Sequence, residues 1–121
     1  MDHIRLKDII VYGHYGVSAP EREVGQRLLM DLDLSLDLQA ASRSDALADT
    51  VSYEEVYTRV REKAEGKACL LLEHLAGLVA DDLLEAYPAL AGVTVSIRKM
   101  NLPFPTTCRE VEVLLTRERG A

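Results

Sequence analysis

From residue 30 to residue 38 the chain alternates without interruption: Met30, Leu32, Leu34, Leu36 and Leu38 are apolar, and Asp31, Asp33, Ser35 and Asp37 between them are polar. A period of two sends successive side chains to opposite faces, so this stretch predicts a long strand with one buried and one wet face. Ile4 to Tyr12, rich in Ile and Val, predicts an earlier strand. Gly13 to Gly25, with Pro20, predicts the loop that joins the two as an antiparallel pair. The period then changes. Ser52 followed three residues later by Glu55 is a capping-box signature, and Val56, Val60 and Ala64 continue one helical face to a stop at Gly66. A second helix is predicted from about Leu71, with Leu72, Leu75, Val79, Leu83 and Ala86 on its apolar face and Pro88 beyond its end. Val93, Val95 and Ile97 alternate in a third strand and Val111, Val113 and Leu115 in a fourth, across a turn-rich stretch holding Pro103 and Pro105.

The element order is therefore ββααββ, which predicts an α+β fold: a two-layer sandwich with both helices on the apolar face of a four-stranded antiparallel sheet. A ferredoxin-like regulatory module would read βαββαβ instead. A chain of 121 residues supports one domain, residues 1–121, and no repeat or linker divides it. The wet face of the second strand and the open sheet edges would be a liability in isolation. Edge pairing between copies is a common remedy, so a homo-oligomer fits.

Composition narrows the function. The chain is 48% hydrophobic and 28% charged, with no Trp and one Phe, so the core must be aliphatic. A formal net charge of −6 argues against binding to nucleic acid or to an anionic membrane surface, both of which need a basic face. The start of the chain interleaves Ile4, Leu6, Ile9 and Ile10 with Arg5, Lys7 and Asp8, too charged for a signal segment, and no apolar run is long enough to span a bilayer. A cytoplasmic location is expected. Cys69 and Cys108 are far apart and form no CxxC, so they read as reduced thiols used as small hydrophobes. His3, His14 and His74 show no ligand spacing, and no metal is expected.

No Gly-rich phosphate loop, HExxH or nucleophile elbow is present. Glu73 follows the apolar run Cys69 to Leu72 at the start of the second predicted helix, where a carboxylate can stand beside free backbone N–H groups. An exposed first-turn Glu favoured by the helix dipole has the same signature. Lys99 ends the third predicted strand, a position where a lysine is ordinarily solvated. Tyr53 follows the cap Ser52, where partial burial at the core edge is the default. Glu21 lies in the expected loop, where a solvated charge is the default.

In order and spacing, several segments together resemble the dihydroneopterin aldolases: Tyr12-Gly13-His14-Tyr15-Gly16, Glu21 to Gln26, Asp45 to Tyr53, Leu70 to Leu75, and Lys99 with Pro103-Phe104-Pro105. The resemblance covers residues 4 to 117. It implies the tunnelling fold, a ββααββ unit that assembles as rings, typically stacked into an octamer with sites between neighbouring subunits. It implies a lyase of folate biosynthesis that cleaves 7,8-dihydroneopterin into 6-hydroxymethyl-7,8-dihydropterin and glycolaldehyde, with epimerisation at the side chain as a side activity. No metal or organic cofactor is implied. Carried over by position, Glu73 looks like the pterin anchor and Lys99 like the proton-transferring lysine. Glu21 and Tyr53 match residues contributed by the adjacent subunit, and Leu72 and Val51 match positions that offer backbone hydrogen bonds to the pterin.

The residue types suit that chemistry. A pterin presents a ring N–H beside an exocyclic amino group, and one carboxylate can accept both in a bidentate clamp. Retro-aldol cleavage needs an electron sink, which the imine of the dihydropterin ring supplies, so no lysine Schiff base is required. What remains is proton transfer, within the reach of a lysine side chain. A dihydroneopterin triphosphate epimerase would need several basic residues at the side-chain end of its pocket, against the acidic balance of this chain. A non-catalytic pterin- or purine-binding module would have no use for a basic lysine.

Overall fold

The computed structural model, which describes residues 1–120, forms the first two predicted strands as an antiparallel pair, β1 (Asp2–Tyr15) and β2 (Gln26–Leu36). The alternation in β2 is realised as far as Leu36, two residues short of the expected end, because Leu38 already stands at the start of a short helix. Leu28, Met30, Leu32, Leu34 and Leu36 are at most 1% exposed, and Asp31, Asp33 and Ser35 lie half-buried on the other face. β1 does not keep one phase. Its inward residues are Ile4 and Leu6, then Ile9 and Val11, and the pairing register shifts between Leu6 and Ile9. This is a β-bulge, in which one extra residue re-aims the side chains that follow. Asp8, at φ 58°, adopts the left-handed conformation there, and its N–H donates to the Asp31 Oδ1 at 2.7 Å.

A short helix α1 (Ala19–Val24) lies between β1 and β2, and a second short helix α2 (Gln39–Ser44) and a 3₁₀ turn (Leu47–Asp49) follow β2. Helices α3 (Tyr53–Ala64) and α4 (Leu72–Ala86) and strands β3 (Ala68–Cys69), β4 (Gly92–Lys99) and β5 (Val111–Glu118) complete the chain. The two predicted helices cover the apolar face: α3 packs on β1 and α4, and α4 on β4 and β5. Ser52 caps α3 by accepting the Glu55 N–H at 3.3 Å.

Two expectations need correction. The sheet is five-stranded and mixed, in the order β3-β1-β2-β4-β5, not four-stranded and antiparallel, because β3 pairs in parallel with His14 and Tyr15. A strand of two residues is too short to leave a periodic signal. The loop expected over Gly13 to Gly25 is also largely structured. β1 runs on to Tyr15, and α1 begins after Ser18, with Pro20 in its first turn and Glu21 three residues beyond Ser18. That spacing is the same capping signature that marked α3.

The core is aliphatic as composition requires, with Tyr15 its one aromatic among the described residues. The Tyr15 hydroxyl is satisfied by donating to the Ala64 carbonyl. Cys69 is buried, as a small hydrophobe should be, whereas Cys108 is exposed, against that reading; both are free. No helix among the described residues is long and apolar enough to cross a membrane.

Chain direction gives the sheet two distinct ends. At one end lie the close of β1, the start of β2, β3 and the close of β4: Gly66 N–H donates to the Tyr12 carbonyl at 3.0 Å, and Gly16 N–H to the Cys69 carbonyl at 2.9 Å. At the other, Ala91 N–H donates to the Ser35 carbonyl at 2.8 Å, and Ser52 and Tyr87 line one groove. Helix α3 therefore starts at the far end and returns to the near one, whereas α4 starts at the near end. An Arg59–Asp82 ion pair at 2.7 Å joins the antiparallel helices.

Candidate active site

At the near end Lys99, the last residue of β4, is 9% exposed rather than solvated. Its ammonium pairs with Oε2 of Glu21 in the same chain, and each side chain is 11% exposed. The resemblance implied that Glu21 comes from an adjacent subunit; within the fold it meets Lys99 from the same one. Glu21 is held from several sides. Its Oε1 accepts the Ser18 hydroxyl at 2.9 Å and the Ser18 N–H at 3.4 Å, and its Oε2 accepts the Gln26 side-chain amide at 3.4 Å. Gly16 makes room for it, since a Cβ at that position would lie 2.4 Å from the Glu21 carboxyl carbon. Burial pushes the Glu21 carboxyl up, but hydrogen bonds from Lys99 and Ser18 to its charged form outweigh burial and hold it below its ordinary value. An open groove of about 510 Å³ runs beside the pair, lined by Ser18, Glu21, Gln26, Asn101, Leu102 and Pro103.

Leu72 and Glu73 open α4 at this same end, because β3, which pairs with Tyr15, ends only shortly before the helix. Glu73 is exposed in the first turn, and Leu71 at the N-cap supplies no side-chain hydrogen bond. Unsatisfied N–H groups and a free carboxylate therefore stand together, able to meet acceptors and donors of one flat ligand.

Val51 and Tyr53 are not brought to this cluster. They stand at the start of α3, at the far end, with Val51 buried and Tyr53 65% exposed, so the partial burial expected of Tyr53 does not occur. The helix that separates Tyr53 from the near end rises roughly 18 Å at ~1.5 Å per residue, longer than a bicyclic heterocycle. Within one chain Tyr53 and Glu73 therefore lie at opposite ends of the fold.

Gln26 joins the site without having been singled out from the sequence. Its signal was legible: it occupies the inward phase of β2, the phase of Leu28 and Met30, where a polar residue needs a reason.

The sequence model of the dihydroneopterin aldolase family matches residues 4–116. A dihydroneopterin aldolase of Streptococcus pyogenes serotype M18 is 41% identical over 119 residues, spanning 98% of this chain and 100% of the relative. Among solved structures, Escherichia coli dihydroneopterin aldolase in complex with neopterin superposes with a TM-score of 0.89 at 27% identity, over 97% of this chain and 99% of that one. A Burkholderia dihydroneopterin aldolase bound to guanine gives 0.79 at 27% identity, over 98% and 91%. Sequence and fold agree over almost the whole length, and this chain belongs to the dihydroneopterin aldolase family.

Proposed function

We propose that the protein is the cytoplasmic lyase of folate biosynthesis that cleaves 7,8-dihydroneopterin into 6-hydroxymethyl-7,8-dihydropterin and glycolaldehyde. The observation that carries this is the enclosed Lys99–Glu21 pair at the sheet end where Glu73 opens α4. The Glu73 carboxylate accepts the ring N–H and the exocyclic amino group, and the backbone of Leu72 adds a hydrogen bond to the ring. The side-chain hydroxyl two carbons from the ring loses its proton, its carbon becomes the aldehyde, and the broken C–C bond leaves its electron pair in the ring imine. The carbon left on the ring then gains a proton. Lys99 carries protons between these positions, and Glu21 holds it in place. Re-forming the bond on the other face of the aldehyde gives the epimer, so epimerisation accompanies cleavage.

The second element of this reading is a shared site in a ring, stacked as an octamer. Val51 and Tyr53 then come from a neighbouring subunit to the ring anchored by Glu73. Support comes from the position of Tyr53 at the far end, its exposure, and the open edges of the sheet. β3 covers β1 only at His14 and Tyr15, and β5 closes the opposite side with Val111 and Leu114 exposed.

The deciding experiment incubates purified protein with 7,8-dihydroneopterin and measures glycolaldehyde against 6-hydroxymethyl-7,8-dihydropterin. Equal amounts of both are expected. A protein that binds the substrate and releases neither is not an aldolase.

A further inference from the structure

Gln26 is 7% exposed at the first residue of β2, and its side chain reaches two acceptors. The amide nitrogen donates to the Tyr15 carbonyl at 2.9 Å and to Glu21 Oε2 at 3.4 Å, the same oxygen that pairs with Lys99. Turning the amide over would set its oxygen against two acceptors, so the orientation is fixed by its surroundings. Its own oxygen, Oε1, is buried without a partner. Burying an unpaired acceptor in the inward phase of a strand opposes folding, and an apolar residue there would avoid it. The favourable contacts of the side chain are therefore those of its nitrogen.

We propose that Gln26 is a positioning residue for the reaction: by holding the Glu21 oxygen that Ser18 does not, it fixes the carboxylate against which Lys99 is aligned. Ser18 grips one oxygen of Glu21 and Gln26 the other, so the carboxylate cannot rotate away from the ammonium without losing both. The lysine is thereby kept at one place relative to the substrate side chain. Gln26 acts on the proton-transfer step and not on the pterin ring, which Glu73 anchors. This rests on the aldolase reading above.

The test is Gln26→Met, which keeps the length and volume and removes both hydrogen-bonding atoms. Misplacing a catalytic group by about an ångström can cost on the order of a hundredfold, so kcat should fall roughly tenfold to a hundredfold while KM and affinity for the pterin product stay within about twofold. The same substitution in a Glu21→Gln background, followed in single turnovers, should change the rate by less than about twofold, because the two residues act as one unit. A native kcat for Gln26→Met overturns the proposal. So does an undiminished loss in the Glu21→Gln background, which would mean that Gln26 serves only the Tyr15 carbonyl. Should Gln26→Met fail to fold, Gln26→Glu keeps the side-chain length and sets a second carboxylate against Glu21. Its kcat should fall with product affinity retained, and an unchanged kcat again overturns the proposal. Native protein assayed alongside separates the two readings: if it releases no glycolaldehyde, the aldolase reading fails and the role of Gln26 in it fails too.

Discussion

Glu21 and Lys99 close an ion pair between the first turn of α1 and the last residue of β4, in one chain and largely out of water. A carboxylate and an ammonium gain little from pairing at an exposed surface, whereas removing one partner of an enclosed pair leaves the other uncompensated. The pair is thus both a structural contact and the centre of the proposed proton transfer, and these roles separate experimentally.

Replacement of Lys99 by Ala should abolish turnover while leaving pterin product bound. It should also lower stability by about 3 kcal/mol, since Glu21 is left as an enclosed, unpaired charge. The double variant Lys99→Met with Glu21→Gln removes both charges and should be more stable than Lys99→Ala alone in urea unfolding. A normal kcat for Lys99→Ala would exclude it as the proton carrier.

Acid should weaken the fold through Glu21. Its folded-state carboxyl lies below its ordinary value of 4.5, so the unfolded chain binds the proton more readily. The stabilisation is complete above that ordinary value and is lost as pH falls through the folded one. Unfolding free energy measured from about pH 7 down to about pH 3 should decline over the acid part of that range. Glu21→Gln should flatten the decline, and an identical slope in both proteins would refute the assignment.

Glu73 is exposed in the free chain and should matter for ligand more than for folding. Glu73→Ala should weaken binding of 6-hydroxymethyl-7,8-dihydropterin by about 2 to 5 kcal/mol, the loss of a charge-assisted clamp. Its unfolding free energy should stay within about 0.5 kcal/mol of native. Calorimetric titration showing native affinity would remove Glu73 as the anchor.

Subunit mixing should distinguish residues of one chain from residues of two. Inactive Lys99→Ala and Tyr53→Ala proteins, unfolded together in equal amounts and refolded, should regain activity at roughly a quarter of their interfaces if assembly is random. Lys99→Ala mixed with Glu21→Ala should also pair at random and yet regain only the sites whose near end comes from neither variant, which do not exist. Recovery in the second mixture, or none in the first with exchange confirmed by mass-labelled chains, would reject the proposed division.

The sequence alone determined the long strands and the two long helices, because period two in Met30 to Leu38 and period 3.6 in Val56 to Ala64 follow directly from which face meets the core. It also marked Glu73 at a helix start, since a helix N-terminus is a local feature of a few neighbouring residues. Residues too few to show a period were not legible: β3 has two, and it is held by hydrogen bonds from a distant strand rather than by its own pattern. Nor was the burial of Lys99 or Glu21, each of which looks like an ordinary surface charge beside its sequence neighbours. Their fate depends on the partner, and the partner is brought by the return of β4 to the end of the sheet where α1 sits. The same folding path sends Tyr53 to the opposite end. Sequence order records which residues the chain contains, but a pairing energy depends on distance, and only the tertiary structure decided that Lys99 meets Glu21 and Gln26 while Tyr53 is left facing outward.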